Sequence, residues 1–248
     1  MTSKVLLGVA ALCLLIAGDT AAATIAAPAV DVLGEAVKQD VAPALRTFLI
    51  LSFMSFIPIV LIGMTSFTRI IVVLALLRHA LGIPQTPPNS VLITLAMFLT
   101  LFSMGPVVDQ VYSQSITPYL SEQITAGVAV ERAAHPIRGF MVRQTRESDL
   151  LAVLEMARVP PPKAMADIRF THLAAAFLLS ELKTAFQIGF VIFLPFLLID
   201  LVVAAILMAL GMIMLPPTTI SLPLKILLFI LIDGWVLVSR TLLGSFWT

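Results

Sequence analysis

Apolar residues in this chain do not alternate with polar ones; they come in long runs separated by short polar turns. Phe48 to Leu77 and Phe186 to Leu215 are the longest, and each has a proline near its middle (Pro58, Pro195) and a charge inside it (Arg69, Asp200). As one straight helix, either run would measure about 45 Å, against about 30 Å for the hydrocarbon of a bilayer. The proline and the charge predict that each run is interrupted and packs against other protein in place of spanning lipid simply. Val91 to Val108 is a cleaner run with Gly105-Pro106 near its end. The last run, Leu222 to Trp247, carries Lys225 early and Asp233-Gly234 in its middle.

The punctuation between runs predicts turns. Arg78-His79 leads into Gly82 to Asn89, where Thr86 or Asn89 is placed to cap the next helix. Pro216-Pro217 makes a second turn. Between Asp109 and Arg169 the pattern changes. Pro118 and the Ala133-Ala134-His135-Pro136 stretch read as loops, and Ile137 to Met156 as one amphipathic helix stopped by Val159-Pro160-Pro161-Pro162. No strand pattern competes, so the predicted class is all-α.

Composition turns this pattern into a protein class. The chain is 60% hydrophobic and 12% charged with a mean hydropathy of +1.07, which a soluble domain of this length cannot bury. It reads as an integral membrane protein. A net charge of +1 leaves no basic face for nucleic acid. Nearly half of the charges fall between Asp109 and Arg169, marking that stretch as a solvated domain. The single cysteine, Cys13, rules out a disulfide framework and sits in a signal-like start: Lys4, an apolar run too short to span, then Ala21-Ala22-Ala23.

The expected organisation is therefore a cleavable signal peptide over 1–23 and an extracytoplasmic leader over 24–47. A first helical hairpin region over 48–108 follows, then a polar extracytoplasmic helical domain over 109–170. A second hairpin region over 171–248 carries a Met-rich tip at 208–214. A cleaved signal puts both Pro-Pro turns on the cytoplasmic side, in agreement with Arg78 and Lys225 beside them.

Nothing in the chain matches a nucleotide loop, a zinc-protease helix, a redox Cys pair or a nucleophile elbow. No catalytic residue, metal ligand or cofactor site is expected, and an enzyme is not. The informative residues are charges in or beside apolar runs: Arg69, Lys183 and Lys225 against Glu181, Asp200 and Asp233. Each such charge costs about 2.5–3.5 kcal/mol on insertion scales, so it pairs or lines a path. Pairing between helices or subunits is one reading. A proton or ion relay through Arg69, Asp200 and Asp233, as in a small-solute transporter, is the other. Glu181 with Thr184 and Lys183 with Gln187 give one helix an acidic and a basic edge, suited to head-to-tail contacts between copies. Phe186, Phe190 and Phe193 recur at helical spacing as a packing stripe. Met208, Met212 and Met214 make a soft tip that is either apolar filler or an adaptable seal.

Several stretches resemble the FliP family of flagellar type III secretion subunits, relatives of the injectisome SctR subunits. They are SFTRIIVVLALL at 66–77, QTPPN at 85–89, FMVRQTR at 140–146, SELKTAFQIGFVIFLPF at 180–196, GMIMLPP at 211–217 and SLPLKILLFILIDGW at 221–235. The resemblance covers about Phe48 to Ser245. It implies membrane-associated bent helical hairpins with an inserted polar helical domain, assembling into a helical multi-subunit gate. Five such subunits would join FliR-like and FliQ-like membrane subunits and meet FlhB-like and FlhA-like export components. Unfolded flagellar export substrates would pass through the centre, in the inner membrane at the flagellar basal body, with the polar domain periplasmic. The resemblance also implies a gasket at Met212, Ile213 and Met214. Many relatives carry three methionines there, so Ile213, stiff at χ1, is a departure.

Overall fold

The computed structural model describes residues 48, 51–52, 55, 62–160, 168–212 and 214–247. The predicted signal peptide, the leader and Ile213 lie outside the described residues, as does most of 49–61. The described elements are α1 (Phe67–Ala80), α2 (Asn89–Val111), a π-helical turn (Tyr112–Ile116) and α3 (Thr117–Leu120). They continue as α4 (Ala126–Gln144), α5 (Glu147–Met156), α6 (Phe170–Ala209), α7 (Thr218–Leu231) and α8 (Gly234–Gly244). Among the described residues there is no strand, and the all-α class stands.

The described residues divide into two compact units: those of 104–180 together with the few before 66, and those of 66–103 with 181–247. In the second unit, α1 turns Ile70, Val73, Leu74 and Leu77 to one side, the i, i+3, i+4, i+7 pattern of a buried helix face. These four meet Leu92, Ala96 and Leu99 of α2, Ala185 and Phe196 of α6, Phe229 of α7 and Val238 and Leu242 of α8 in one core. Gly189 of α6 is what lets α1 come close. A Cβ there would sit 3.2 Å from the Cβ of Leu76 and overlap the rest of that side chain. α1 stops where Gly82, at φ +78°, turns the backbone left-handed and its N–H reaches the carbonyl of His79. Asn89 does not cap α2. It is the first helical residue, and its side-chain oxygen accepts from Arg78 Nη1 at 2.7 Å.

α7 and α8 form a pair bent by 64°. The bend falls on Asp233, left-handed at φ 50° and ψ 52°, and on Gly234. A side chain at 234 would collide with the Phe229 ring. The Asp-Gly sequence thus supplies a residue that tolerates the left-handed region, followed by one with no Cβ.

The first unit packs α4 and α5 with the start of α6, through Phe140, Met141, Leu150, Leu154, Leu173 and Phe177. The rings of Phe140 and Phe177 meet edge-on at 5.8 Å. Two expectations fail here. Ala133 to Pro136 is not a loop, because α4 runs through it with Pro136 buried. A proline inside a helix loses one hydrogen bond and crowds the carbonyl four residues back, a cost offset here by burial of the Pro136 ring. Nor is Ile137 to Met156 one helix. Thr145 and Arg146 are extended, with ψ of 128° and 139°, and separate α4 from α5. A buried hydroxyl holds that break: Ser180 Oγ accepts the Arg146 N–H at 3.0 Å and donates to Asp149 Oδ2 at 2.8 Å. Arg146 is the N-cap of α5, so a serine from α6 satisfies a donor the helix cannot.

Pro195 does not interrupt the longest run either. α6 continues unbroken for 40 residues, about 60 Å as a straight helix, with Pro195 exposed on its outer side. Asn89–Leu120 and Phe170–Ala209 are each long and apolar enough to cross a membrane, and the α7–α8 pair qualifies as a broken span.

Candidate functional site

Four of the charges in apolar surroundings are joined in two pairs, both within the second unit. Arg69, on the first turn of α1, faces Glu181 on α6. Its Nε donates to Oε2 at 2.9 Å and its Nη2 to Oε1 at 2.5 Å, the fork-to-fork geometry that a guanidinium allows. The remaining terminal nitrogen, Nη1, donates to both the carbonyl and the hydroxyl of Ser245, each at 3.0 Å. The Phe246 ring lies 4.0 Å from the guanidinium carbon. Arg69 and Glu181 have 3% and 0% of their side-chain surface exposed. The C-terminal residues 245 and 246 therefore close over a pair whose two halves lie 112 residues apart.

The second pair lies toward the other end of α6. Lys225 of α7 donates to Asp200 Oδ2 at 2.5 Å and to the carbonyl of Ala80, the last residue of α1, at 3.3 Å. One ammonium thus ties α7 to both α6 and α1. Asp200 is the more open partner, with 43% of its side chain exposed.

The other predicted residues lie apart from these pairs. Lys183 is exposed and borders a shallow groove with Phe186, Gln187, Phe190 and Val191. Phe186 and Phe190 are 59% and 65% exposed, whereas Phe193 packs against the core. The stripe is thus split between an outer and an inner part. Asp233 is exposed at the α7–α8 bend and makes no ion pair among the described residues. Arg69, Asp200 and Asp233 are not gathered into one site: the first two are held by different partners, and the third makes no ion pair among the described residues.

Sequence reasoning ranked Lys225 only as one of six charges and passed over Ser180 and Ser245. Lys225 had a signal, a lone cation in an apolar run. A serine on a helix has none, because its role depends on what it faces.

At the tip, α6 ends in a hydrogen-bonded reversal. The Met212 N–H reaches the Leu207 carbonyl at 2.9 Å and the Gly211 N–H reaches Met208 at 3.0 Å, with Gly211 at φ +74°. This is a Schellman cap, and glycine is the residue it favours. Beyond it Met212 is partly exposed and Met214 is 97% exposed.

Helices of this length and apolarity, with a desolvated ion pair bracing α1 against α6, define an integral membrane protein and not a soluble domain. Among known proteins, the FliP family profile matches residues 50–242. The chain is 52% identical to the flagellar biosynthetic protein FliP of Pectobacterium carotovorum subsp. carotovorum over 205 residues, 83% of this chain and 80% of that one. It is 49% identical to that of Cereibacter sphaeroides, covering 82% of this chain and 68% of the relative. Against that of Bacillus subtilis it is 45% identical, covering 88% and 98%. The chain belongs to the FliP family.

Proposed function

We propose that this protein is a pore-forming structural subunit of a flagellar type III export gate, passing unfolded flagellar proteins across the inner membrane. The observation that carries this reading is the family match over residues 50–242, with relatives named flagellar biosynthetic proteins. The outer faces of the helices support it. Phe98, Leu101, Phe102, Phe190, Leu201 and Ile230 are all more than half exposed in the single chain, leaving apolar faces for lipid and for neighbouring subunits to cover. The proposed partners are copies of itself, FliR-like and FliQ-like subunits, and FlhB-like and FlhA-like components. The exposed methionines at the tip suit a gasket formed by Met212, Ile213 and Met214, with the polar segment 109–170 on the periplasmic side.

A transporter relay through Arg69, Asp200 and Asp233 is disfavoured, because the first two are committed to Glu181 and Lys225. Deleting the gene and measuring secretion of hook and filament proteins tests the proposal. Loss of secretion, restored by the intact gene, is expected. Normal secretion in the deletion strain overturns it.

A further inference from the structure

The tip between α6 and α7 offers a single kind of chemistry. From Leu201 to Pro217 every side chain is apolar, and the sulfurs of Met208, Met212 and Met214 are the only side-chain heavy atoms other than carbon. All three methionines are exposed, Met214 almost wholly so. Met64, Met104 and Met141 are buried, out of reach of a dissolved reagent. An exposed thioether in water has one facile reaction, oxidation to the sulfoxide, which turns a flexible apolar side chain into a polar one.

We infer that Met212 and Met214, which lie just beyond the Schellman cap, form an oxidation site through which hydrogen peroxide unseals the tip. At each sulfur, a lone pair attacks one peroxide oxygen, the O–O bond breaks and an S–O bond forms. The proton on the transferred oxygen passes to the departing hydroxide, which leaves as water. The sulfur is oxidised by two electrons and the peroxide is reduced. The new oxygen is a strong acceptor, and the tip has no side-chain donor to meet it. The Gly211, Met212 and Leu215 N–H groups already donate to the carbonyls of Met208, Leu207 and Met212. Water has to supply the hydrogen bonds, since leaving such an oxygen unsatisfied among apolar neighbours is costly. A surface that held water out by being apolar throughout then draws it in. This inference rests on the proposed gasket and names what regulates it.

The test uses membrane vesicles from cells carrying the whole export complex, with vesicles from a strain lacking this chain to subtract lipid damage. Dilute hydrogen peroxide is added, sulfoxides are mapped by peptide mass spectrometry, and ion leak is read before and after. Sulfoxide at Met212 and Met214, with none at Met64, Met104 or Met141, and a severalfold rise in leak are expected. In the double variant Met212→Leu with Met214→Leu, leak is expected not to rise on peroxide, whatever its starting level. Met156→Leu, which removes an exposed methionine of α5, is expected to respond like the wild type. Met212→Gln with Met214→Gln sets a polar group of similar length at the tip without any oxidant, and is expected to leak untreated. A tip left unoxidised at a dose that converts Met156 overturns the inference. So does tip sulfoxide without added leak, a leucine variant that responds like the wild type, or a tight glutamine variant. In any of these cases the untreated variant Met212→Gly with Met214→Gly shows which reading failed. If it leaks, the gasket stands and only the oxidation step is wrong; if it is tight, the gasket itself falls.

Discussion

Arg69 and Glu181 are bonded through two parallel contacts of 2.9 and 2.5 Å, sealed beneath the Ser245 backbone and the Phe246 ring. A pair this dry is held in place by its geometry. Removing one member strands a charge, whereas replacing both with apolar residues of like size removes the desolvation cost as well.

Glu181→Gln or Arg69→Met alone is therefore expected to cost about 3–5 kcal/mol and to deplete folded protein from the membrane. Arg69→Lys is expected to fare little better, since an ammonium can neither fork onto both oxygens nor replace the three-sided hydrogen bonding. The double change Arg69→Met with Glu181→Leu should melt, in detergent, closer to the wild type than either single change. A melting temperature lower than both singles would contradict the pairing argument.

Ser180→Ala removes the hydroxyl that accepts from the Arg146 N–H and donates to Asp149. A loss of about 1–2 kcal/mol is expected. Because the bond fixes the start of α5, limited proteolysis should detect faster cutting near Thr145–Arg146. Unchanged cutting would show that the break is held by packing alone.

Gly189→Val forces a side chain onto Leu76. Overpacking of this kind costs about 1–3 kcal/mol, and Leu76→Ala in the same chain should return part of it. Thermal melts of the two single variants and the double variant give the coupling. Simple additivity would mean that the helices do not press together at this point.

At the tip, shortening Met212 and Met214 to glycine is expected to make membranes leaky to small ions while the chain still assembles. Conductance of cells or vesicles carrying the variant measures this. A tight membrane would remove the gasket role.

Much of this molecule was legible because membrane helices announce themselves by length and apolarity, and because turns such as Gly82 to Asn89 need particular residues. The α7–α8 bend had a signal in Asp233-Gly234, a poor pair for a helix interior, but the last run was read as one stretch with no predicted break there. Prolines misled in both directions. Pro136 and Pro195 look like breaks, yet each withholds only one hydrogen bond from a helix otherwise supported by packing. The real break, at Thr145–Arg146, contains neither proline nor glycine, and it depends on a hydroxyl 34 residues away. The pairing of charges was underdetermined for the same reason. Three cations and three acids admit several matchings, and only the parallel run of α1 beside α6 brings Arg69 to Glu181.

The two matched pairs also bear on how the molecule responds to an electric field. A lone charge carried across the membrane potential gains or loses about 2.3 kcal/mol per 100 mV. Arg69 with Glu181, and Lys225 with Asp200, each sum to zero, so voltage can tilt these helices as dipoles but cannot drag them as monopoles. The two pairs are thus electrically quiet, and the membrane potential has no net charge to pull on through them.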